Sequence, residues 1–252
     1  MGGYVEIGAL NTWYDEQGEG EPLVLLHGGM CTNATWAAQM PAFGAHFRVI
    51  APERRGHGHT PDLEGALSYD VMSADTIGFL DAIVGGPAYL VGWSDGGIVG
   101  LLVAISRPDL VRKLVVIGAN FDTSGLTPEA MEWFTTISAD SDDLAMLRES
   151  YLAASPDGPG HWPVMVAKFK EMVITQPAIT VEQLARITAA TLIVVGDGDI
   201  VTLDHTSTLF RAIPNSELAV LPGASHLLTM EKPDLVNRLV LDFLEKDPVP
   251  GR

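Results

Sequence analysis

Tyr89-Leu90-Val91-Gly92-Trp93-Ser94-Asp95-Gly96-Gly97-Ile98-Val99-Gly100-Leu101 decides how this chain is read. The apolar residues Tyr89-Leu90-Val91 predict a buried strand, and the run from Gly97 to Leu102 predicts a helix immediately after it. Between them lies Gly92-Trp93-Ser94-Asp95-Gly96, a G-x-S-x-G pentapeptide. A strand that turns straight into a helix leaves no room for side chains beside the turn. Glycine on both sides lets a serine stand there with its Oγ exposed above the sheet. Small residues gather in many turns; the strand before and the helix after make Ser94 a candidate nucleophile.

The same pattern recurs along the chain. Leu23–Leu26, Val49–Ala51, Ala88–Val91, Leu114–Ile117, Leu192–Val195 and Leu218–Leu221 are short runs rich in Val, Ile and Leu. They read as parallel strands covered on both faces. Tyr69–Ile83, Gly96–Ser106, Asp204–Ile213 and Pro233–Glu245 read as the helices between them. Tyr4–Ile7 and Thr12–Tyr14 suggest an antiparallel hairpin added at an edge. From about Phe121 to Arg186 the alternation stops. Met131, Trp133, Phe134, Met146, Leu147, Tyr151, Trp162, Met165, Phe169 and Met172 recur there at helical spacing. The expectation is one α/β unit, a mostly parallel sheet flanked by helices, formed by residues 1–120 and 187–252. A helical cap of residues 121–186 would lie over one end of the sheet, with some of its apolar residues lining a pocket.

Composition narrows the function classes. The 252 residues carry 32 acidic and 15 basic side chains, a formal charge of −17, which disfavours nucleic acid and anionic membranes as partners. A hydrophobic fraction of 47% suffices for one large core. Cys31 is the single cysteine, so no disulfide forms within the chain. Met1–Leu10 lacks the pattern of a signal peptide, and no apolar run approaches the ~18 residues of a spanning helix. A cytoplasmic protein is expected, with no membrane partner; its oligomeric state stays open, a homodimer included.

A serine nucleophile needs a base, and the base needs an orienting acid. The strand Leu192–Val195 runs into Gly196-Asp197-Gly198-Asp199, and Leu218–Leu221 runs into Pro222-Gly223-Ala224-Ser225-His226. Both sets fall at the carboxyl edge of a parallel sheet, where catalytic groups collect. His226 is the candidate base, and Asp197 and Asp199 are both candidates for the acid.

These segments together resemble the α/β-hydrolase family over nearly the whole chain. Leu25-Leu26-His27-Gly28-Gly29 resembles its strand-to-oxyanion loop. Glu53-Arg54-Arg55-Gly56-His57-Gly58-His59-Thr60 resembles its D-x-R-G-x-G-x-S loop, with Glu53 and Thr60 departing from the usual residues. Val195–Asp199 and Gly223–His226 match its acid and histidine motifs. The chain order Ser, Asp, His is the family's. The resemblance implies a triad of Ser94, Asp199 and His226, with Asp197 bonding within its own loop. It also implies an oxyanion site formed by the backbone N–H groups of Gly29 and Asp95, each worth ~3 kcal/mol to the transition state. Gly92–Ile98 and Val116–Asn120 look closest to the valacyclovir hydrolase-like (biphenyl hydrolase-like) subfamily. There the acid after the nucleophile is associated with the α-amino group of amino-acid esters.

The expected function is therefore hydrolysis of a small carboxylic ester, with an α-amino acid ester as one option, and with no metal and no cofactor. Asp95, Met30 and Trp162 are the candidate substrate-binding residues. Asp95 has a competing structural role, since a carboxylate in the first turn of a helix stabilises its dipole by ~0.5 kcal/mol. His57 and His59 have the H-x-H spacing of metal ligands, yet no second His or Cys cluster completes a site. His27 reads as a brace for its loop, and His46, His161 and His205 read as isolated, with His161 a possible substrate contact. Asp140, Asp142 and Asp143 read as solvated surface. The same triad would also serve a lactonase, an amidase, a C–C bond hydrolase or a cofactor-free haloperoxidase or perhydrolase. A ligand receptor that does not turn over is an option of another class.

Overall fold

The computed structural model describes residues 2–246. The extremities of the ranges 1–120 and 187–252, at Met1 and at 247–252, lie outside the described residues. Among those described, eight strands form one sheet: β1 (Gly3–Ile7), β2 (Leu10–Gln17), β3 (Pro22–Leu26), β4 (Arg48–Pro52), β5 (Ala88–Trp93), β6 (Val111–Ile117), β7 (Ala190–Gly198) and β8 (Ser216–Ser225). Their order is β1-β2-β4-β3-β5-β6-β7-β8. β1 pairs with β2, and β2 with β4, in antiparallel fashion; the remaining pairs are parallel. The α/β-hydrolase fold with an antiparallel edge hairpin is thus the observed architecture.

The helices are α1 (Gln39–Gly44), α2 (Tyr69–Phe79), α3 (Asp95–Ser106), α4 (Pro128–Thr136), α5 (Ala145–Ala154), α6 (Trp162–Thr175), α7 (Val181–Leu184), α8 (Leu203–Ala212), α9 (Leu228–Glu231) and α10 (Pro233–Glu245). Successive residues of a strand point to opposite faces, and two apolar cores follow from this. Val24, Leu26, Ile50, Leu90, Leu114, Val116 and Ile193 pack on one face with Met72 and Phe79 of α2, Val99 and Val103 of α3 and Leu209 of α8. Leu23, Leu25, Val49, Ala51, Val91, Val115, Ile117, Leu192 and Val194 pack on the other with Phe43 of α1 and Val236, Val240 and Phe243 of α10. Central strands must be apolar at every position because both of their faces are covered, which is why β3 and β5 read as unbroken runs. Truncating a residue such as Leu90 to Ala would cost about 2–5 kcal/mol.

Two elements extend beyond their apolar signal. β8 runs from Ser216 to Ser225 although only Leu218–Leu221 is apolar. It is an edge strand, and Leu218 and Val220 remain exposed on its outer side. After Phe79, the helical path continues through a single wider turn, Leu80–Val84, and stops at Gly85 with φ 69°.

β3 lies between β4 and β5, so the chain leaves it in one direction for β4 and in the other for β5. This is a topological switch point, the usual place for a crevice in an open parallel sheet. Between β6 and β7 the chain carries α4 to α7, and α6 returns to the loops that follow β3 and β4. Lys168 of α6 donates to Asp62 Oδ2 at 2.5 Å, and His161 Nε2 lies 2.9 Å from the same oxygen. Asp157 accepts from the Asp62 N–H at 2.8 Å. His161 is thereby committed to the contact between the inserted helices and the core.

Candidate active site

Ser94 sits between β5 and α3 with φ 54° and ψ −123°. That backbone region strains an L-residue, and close packing holds it there. A Cβ on Gly92 would lie 2.2 Å from Gly96 O, and one on Gly96 would lie 1.9 Å from Leu26 O. Glycine at both positions is what lets α3 start against the ends of β5 and β3. The Ser94 N–H donates to Ile117 O at 2.8 Å, tying the turn to β6.

Ser94 Oγ lies 3.0 Å from His226 Nε2, and His226 Nδ1 lies 2.8 Å from Asp199 Oδ1. The carboxylate also accepts the Val201 N–H at 3.0 Å, which orients it from its own loop. With Oδ1 accepting from Nδ1–H, Nε2 is left unprotonated toward Ser94. Asp197 does not bond within its own loop: from the end of β7 its Oδ1 accepts from Ala224 N of β8 at 3.2 Å, because the two strands lie side by side there. Two further groups hold His226. Trp93 Nε1 donates to the His226 carbonyl at 2.9 Å. Gly118, with φ 55°, brings its main chain so close that a Cβ there would lie 2.9 Å from Asp199 Oδ2 and 3.2 Å from His226 Nδ1.

The loop after β3 faces the start of α3. A Cβ on Gly29 would lie 2.6 Å from Asp95 Oδ2 and 2.4 Å from Phe169 Cε2, so any larger residue here must displace a neighbour or the loop. Met30 follows with φ 54°, a left-handed conformation uncommon for its type. Asp95 is 4% exposed. Its Oδ1 accepts from the Tyr69 hydroxyl at 2.9 Å, and its Oδ2 has no hydrogen-bond partner among the described residues. Burial pushes its carboxyl above the ordinary range, against the opposing pull of the Arg54 charge and the Tyr69 hydrogen bond. The side chain therefore faces inward as a sequestered carboxylate, beyond its place in the first turn of α3.

His27 is fully buried and braces this loop. Its Nε2 accepts the Arg54 N–H at 3.1 Å, which puts its proton on Nδ1, directed at Gly28 O 2.8 Å away. Glu53, where the family pattern has Asp, accepts from Asn33 N and from His59 N, joining the two loops beside the site. His57 Nδ1 lies 2.8 Å from Arg55 O and burial pushes its imidazole down to about 3, so it is a neutral packed histidine. Among the described residues no group of three His, Cys, Asp or Glu side chains is placed to hold a metal ion. The Cys31 thiol is pushed up to about 12 by burial, which makes it a poor nucleophile.

Met30 and Trp162 line one small pocket with Thr32, Gly56, His57, Gly58, Tyr151 and Met165. Ser94, Asp199 and His226 do not line it. Trp162 donates its Nε1–H to Ala139 O at 2.9 Å and packs against Tyr151 within the inserted helices. His46 pairs with Glu245, and His205 accepts the Phe121 N–H at 3.0 Å while stacking on that ring. Tyr69, Trp93, Arg54 and Phe169 are not legible in the sequence as site residues, because they reach the site only through tertiary packing.

Residues 23–239 match the model of the alpha/beta hydrolase family. This chain belongs to that family. It is 28% identical to the serine hydrolase BPHL of Mus musculus over 96% of this chain and 85% of that protein. It is 33% identical to 2-hydroxy-6-oxo-2,4-heptadienoate hydrolase of Pseudomonas putida over 97% of this chain and 96% of that protein. Among solved structures, the meta-cleavage product hydrolase of Pseudomonas fluorescens IP01 superposes with a TM-score of 0.76 at 26% identity, covering 96% of this chain and 97% of that one. The fold and the hydrolase class are shared across these relatives, whose names differ in the substrates they give. No helix among the described residues is long and apolar enough to cross a membrane.

Proposed function

We propose that this protein is a serine hydrolase of small carboxylic esters. The observation that carries the reading is the continuous line from Ser94 Oγ through His226 to Asp199, at 3.0 Å and 2.8 Å, ending on a strained turn. His226 Nε2 takes the Ser94 proton as Oγ attacks the ester carbonyl. Asp199 holds the imidazole and stabilises its cationic form. The N–H groups of Gly29 and Asp95 bind the oxyanion. His226 then protonates the departing alcohol, and water, activated by the same base, releases the acid from the acyl-enzyme.

The charge beside the nucleophile supports an acyl group that is neutral or cationic. Asp95 is the carboxylate adjoining Ser94, and its unpartnered Oδ2 lies beside Gly29, as does the ring of Phe169. A carboxylate-bearing substrate such as a ring-cleavage product would meet repulsion there. We therefore place C–C hydrolysis of carboxylate-bearing products second, and an α-amino ester within the first reading. Met30 and Trp162 would bound the substrate on the side of residues 121–186, which act as its cap.

A fluorophosphonate probe tests the nucleophile, and a panel of p-nitrophenyl esters differing in acyl charge tests the substrate class. Labelling at Ser94, lost in Ser94→Ala, is expected; a folded wild-type protein left unlabelled would remove the mechanism. Asp95→Asn should raise KM for α-aminoacyl esters more than for acetyl esters, and equal effects would remove the ammonium role.

A further inference from the structure

Arg54 is a buried cation, 4% exposed; among the described residues its neighbour Arg55, and not Arg54, forms an ion pair, with Asp75 at 2.5 Å. A cation in such a place is costly unless its donors are met, so the direction of those donors is informative. Nη1 donates to His27 O and Nη2 donates to Gly28 O at 3.0 Å. The 3.2 Å approach of Nη2 to His27 Nδ1 joins two donors and is not a hydrogen bond, because the His27 proton is on Nδ1. Gly28 O thus receives the Arg54 guanidinium, the His27 imidazole at 2.8 Å and, more weakly, the Cys31 N–H at 3.4 Å. This is an unusual concentration of donors on one carbonyl.

That carbonyl belongs to the same peptide unit as the Gly29 N–H. The unit is planar and conjugated, so drawing electron density onto its oxygen leaves its N–H more positive. Hydrogen bonds in series polarise one another in this way, most effectively where water is excluded. The guanidinium also holds two successive carbonyls, those of His27 and Gly28, and so fixes the plane of the Gly28–Gly29 peptide. Asp95, whose buried carboxylate offsets the buried guanidinium, stands on the other side of Gly29.

We infer that Arg54 is a positioning residue for the oxyanion site: it clamps the His27 and Gly28 carbonyls, aims the Gly29 N–H, and strengthens it as a donor to the negative oxygen of the transition state. The inference rests on the serine-hydrolase reading above. Its position in the sequence is the variable one of the D-x-R-G-x-G-x-S motif, so the chemistry is carried by this chain's own residue.

A donor to developing charge acts on the transition state more than on the ground state. The probe is a trifluoromethyl ketone with the acyl chain of the best ester, which Ser94 converts to an anionic adduct. In Arg54→Met, which keeps bulk and removes every donor, the inhibition constant should rise roughly 10-fold to 100-fold and kcat should fall in parallel, while KM stays within about 2-fold. Arg54→Lys, which keeps the charge but only one donor nitrogen in place of the guanidinium fork, should fall between Met and wild type. It is also the variant to read if Arg54→Met does not fold. A folded Arg54 variant that binds the ketone as tightly as wild type overturns the inference. So does a loss that appears equally in KM and in the inhibition constant, which marks a displaced loop. If wild type is not labelled by fluorophosphonate, the underlying hydrolase reading fails instead, and the two failures are told apart.

Discussion

The Tyr69 hydroxyl donates to Asp95 Oδ1 at 2.9 Å, linking the first residue of α2 to the first residue of α3. Both side chains are buried, and burial holds the carboxyl of Asp95 and the phenol of Tyr69 above their ordinary ranges. Tyr69→Phe keeps the ring and removes the donor, leaving both carboxylate oxygens unmet. It should cost about 1.5–3 kcal/mol near pH 7. A carboxyl whose folded pKa is raised contributes stability that is present at low pH and lost as pH rises through that pKa. Removing Tyr69's donor raises the pKa further, so the deficit should be smaller at about pH 4.5 than at neutrality. Urea unfolding at the two pH values measures it, and a deficit that is absent or independent of pH would mean Asp95 is stabilised from elsewhere.

Ser94 is held at φ 54°, ψ −123°, a conformation that glycine adopts without strain. Ser94→Ala keeps the strain and should unfold close to wild type. Ser94→Gly relieves a strain of order 1–3 kcal/mol, less about 0.5–1 kcal/mol of added chain entropy. It should therefore be more stable than Ser94→Ala, while both lack ester turnover. Equal melting temperatures for the two variants would show that the turn stores no strain.

Much of this architecture is legible in the residues themselves. The apolar runs of β3 and β5 and the turn residues Gly92 and Gly96 are local signals, because burial on both faces and a tight turn each restrict residue type at fixed spacing. The order of Ser94, Asp199 and His226 is local as well, each following its own strand. What the sequence does not disclose is long-range. Tyr69 and Asp95 are 26 residues apart, and Trp93 reaches a carbonyl 133 residues away. No periodicity marks such partners. Arg54 stands at a position its motif leaves unspecified, and Phe169 is one apolar residue among several at helical spacing. The choice between Asp197 and Asp199 rests on resemblance alone in the sequence, since both follow the same strand, and their loop geometry separates them.

His57 makes stability sensitive to acid. Burial pushes its imidazole from the ordinary 6.5 down to about 3. The unfolded chain therefore binds a proton between these values that the folded chain does not. Stability contributed by keeping His57 neutral is complete above about pH 6.5 and is lost as pH falls toward 3, at up to about 1.4 kcal/mol per pH unit. His27 and His205 are lowered by burial in the same direction and steepen the loss. His57→Gln should flatten the stability profile between about pH 4 and 6 by close to one proton. An unchanged slope in chemical denaturation across that window would place the acid sensitivity in other groups.

Gly29 tests whether the loop after β3 supplies an oxyanion donor. An added Cβ would press on Phe169 Cε2 at 2.4 Å and on Asp95 Oδ2 at 2.6 Å. The phenylalanine ring is the end of a side chain on α6 and can swing aside. Asp95 cannot, because Tyr69 fixes one of its oxygens and the start of α3 fixes its backbone. The loop must yield instead, carrying the Gly29 N–H away from the carbonyl oxygen it would bind. A displacement near 1 Å at such a group costs on the order of 100-fold in rate. Gly29→Ala should therefore lower kcat by about that factor, with a smaller change in KM. Combining it with Phe169→Ala removes one of the two clashes and should restore only part of the loss, roughly 10-fold or less, because the contact with Asp95 persists. Full recovery in the double variant would make Phe169 the sole constraint, and a Gly29→Ala protein with wild-type kcat would mean that this N–H does not bind the oxyanion.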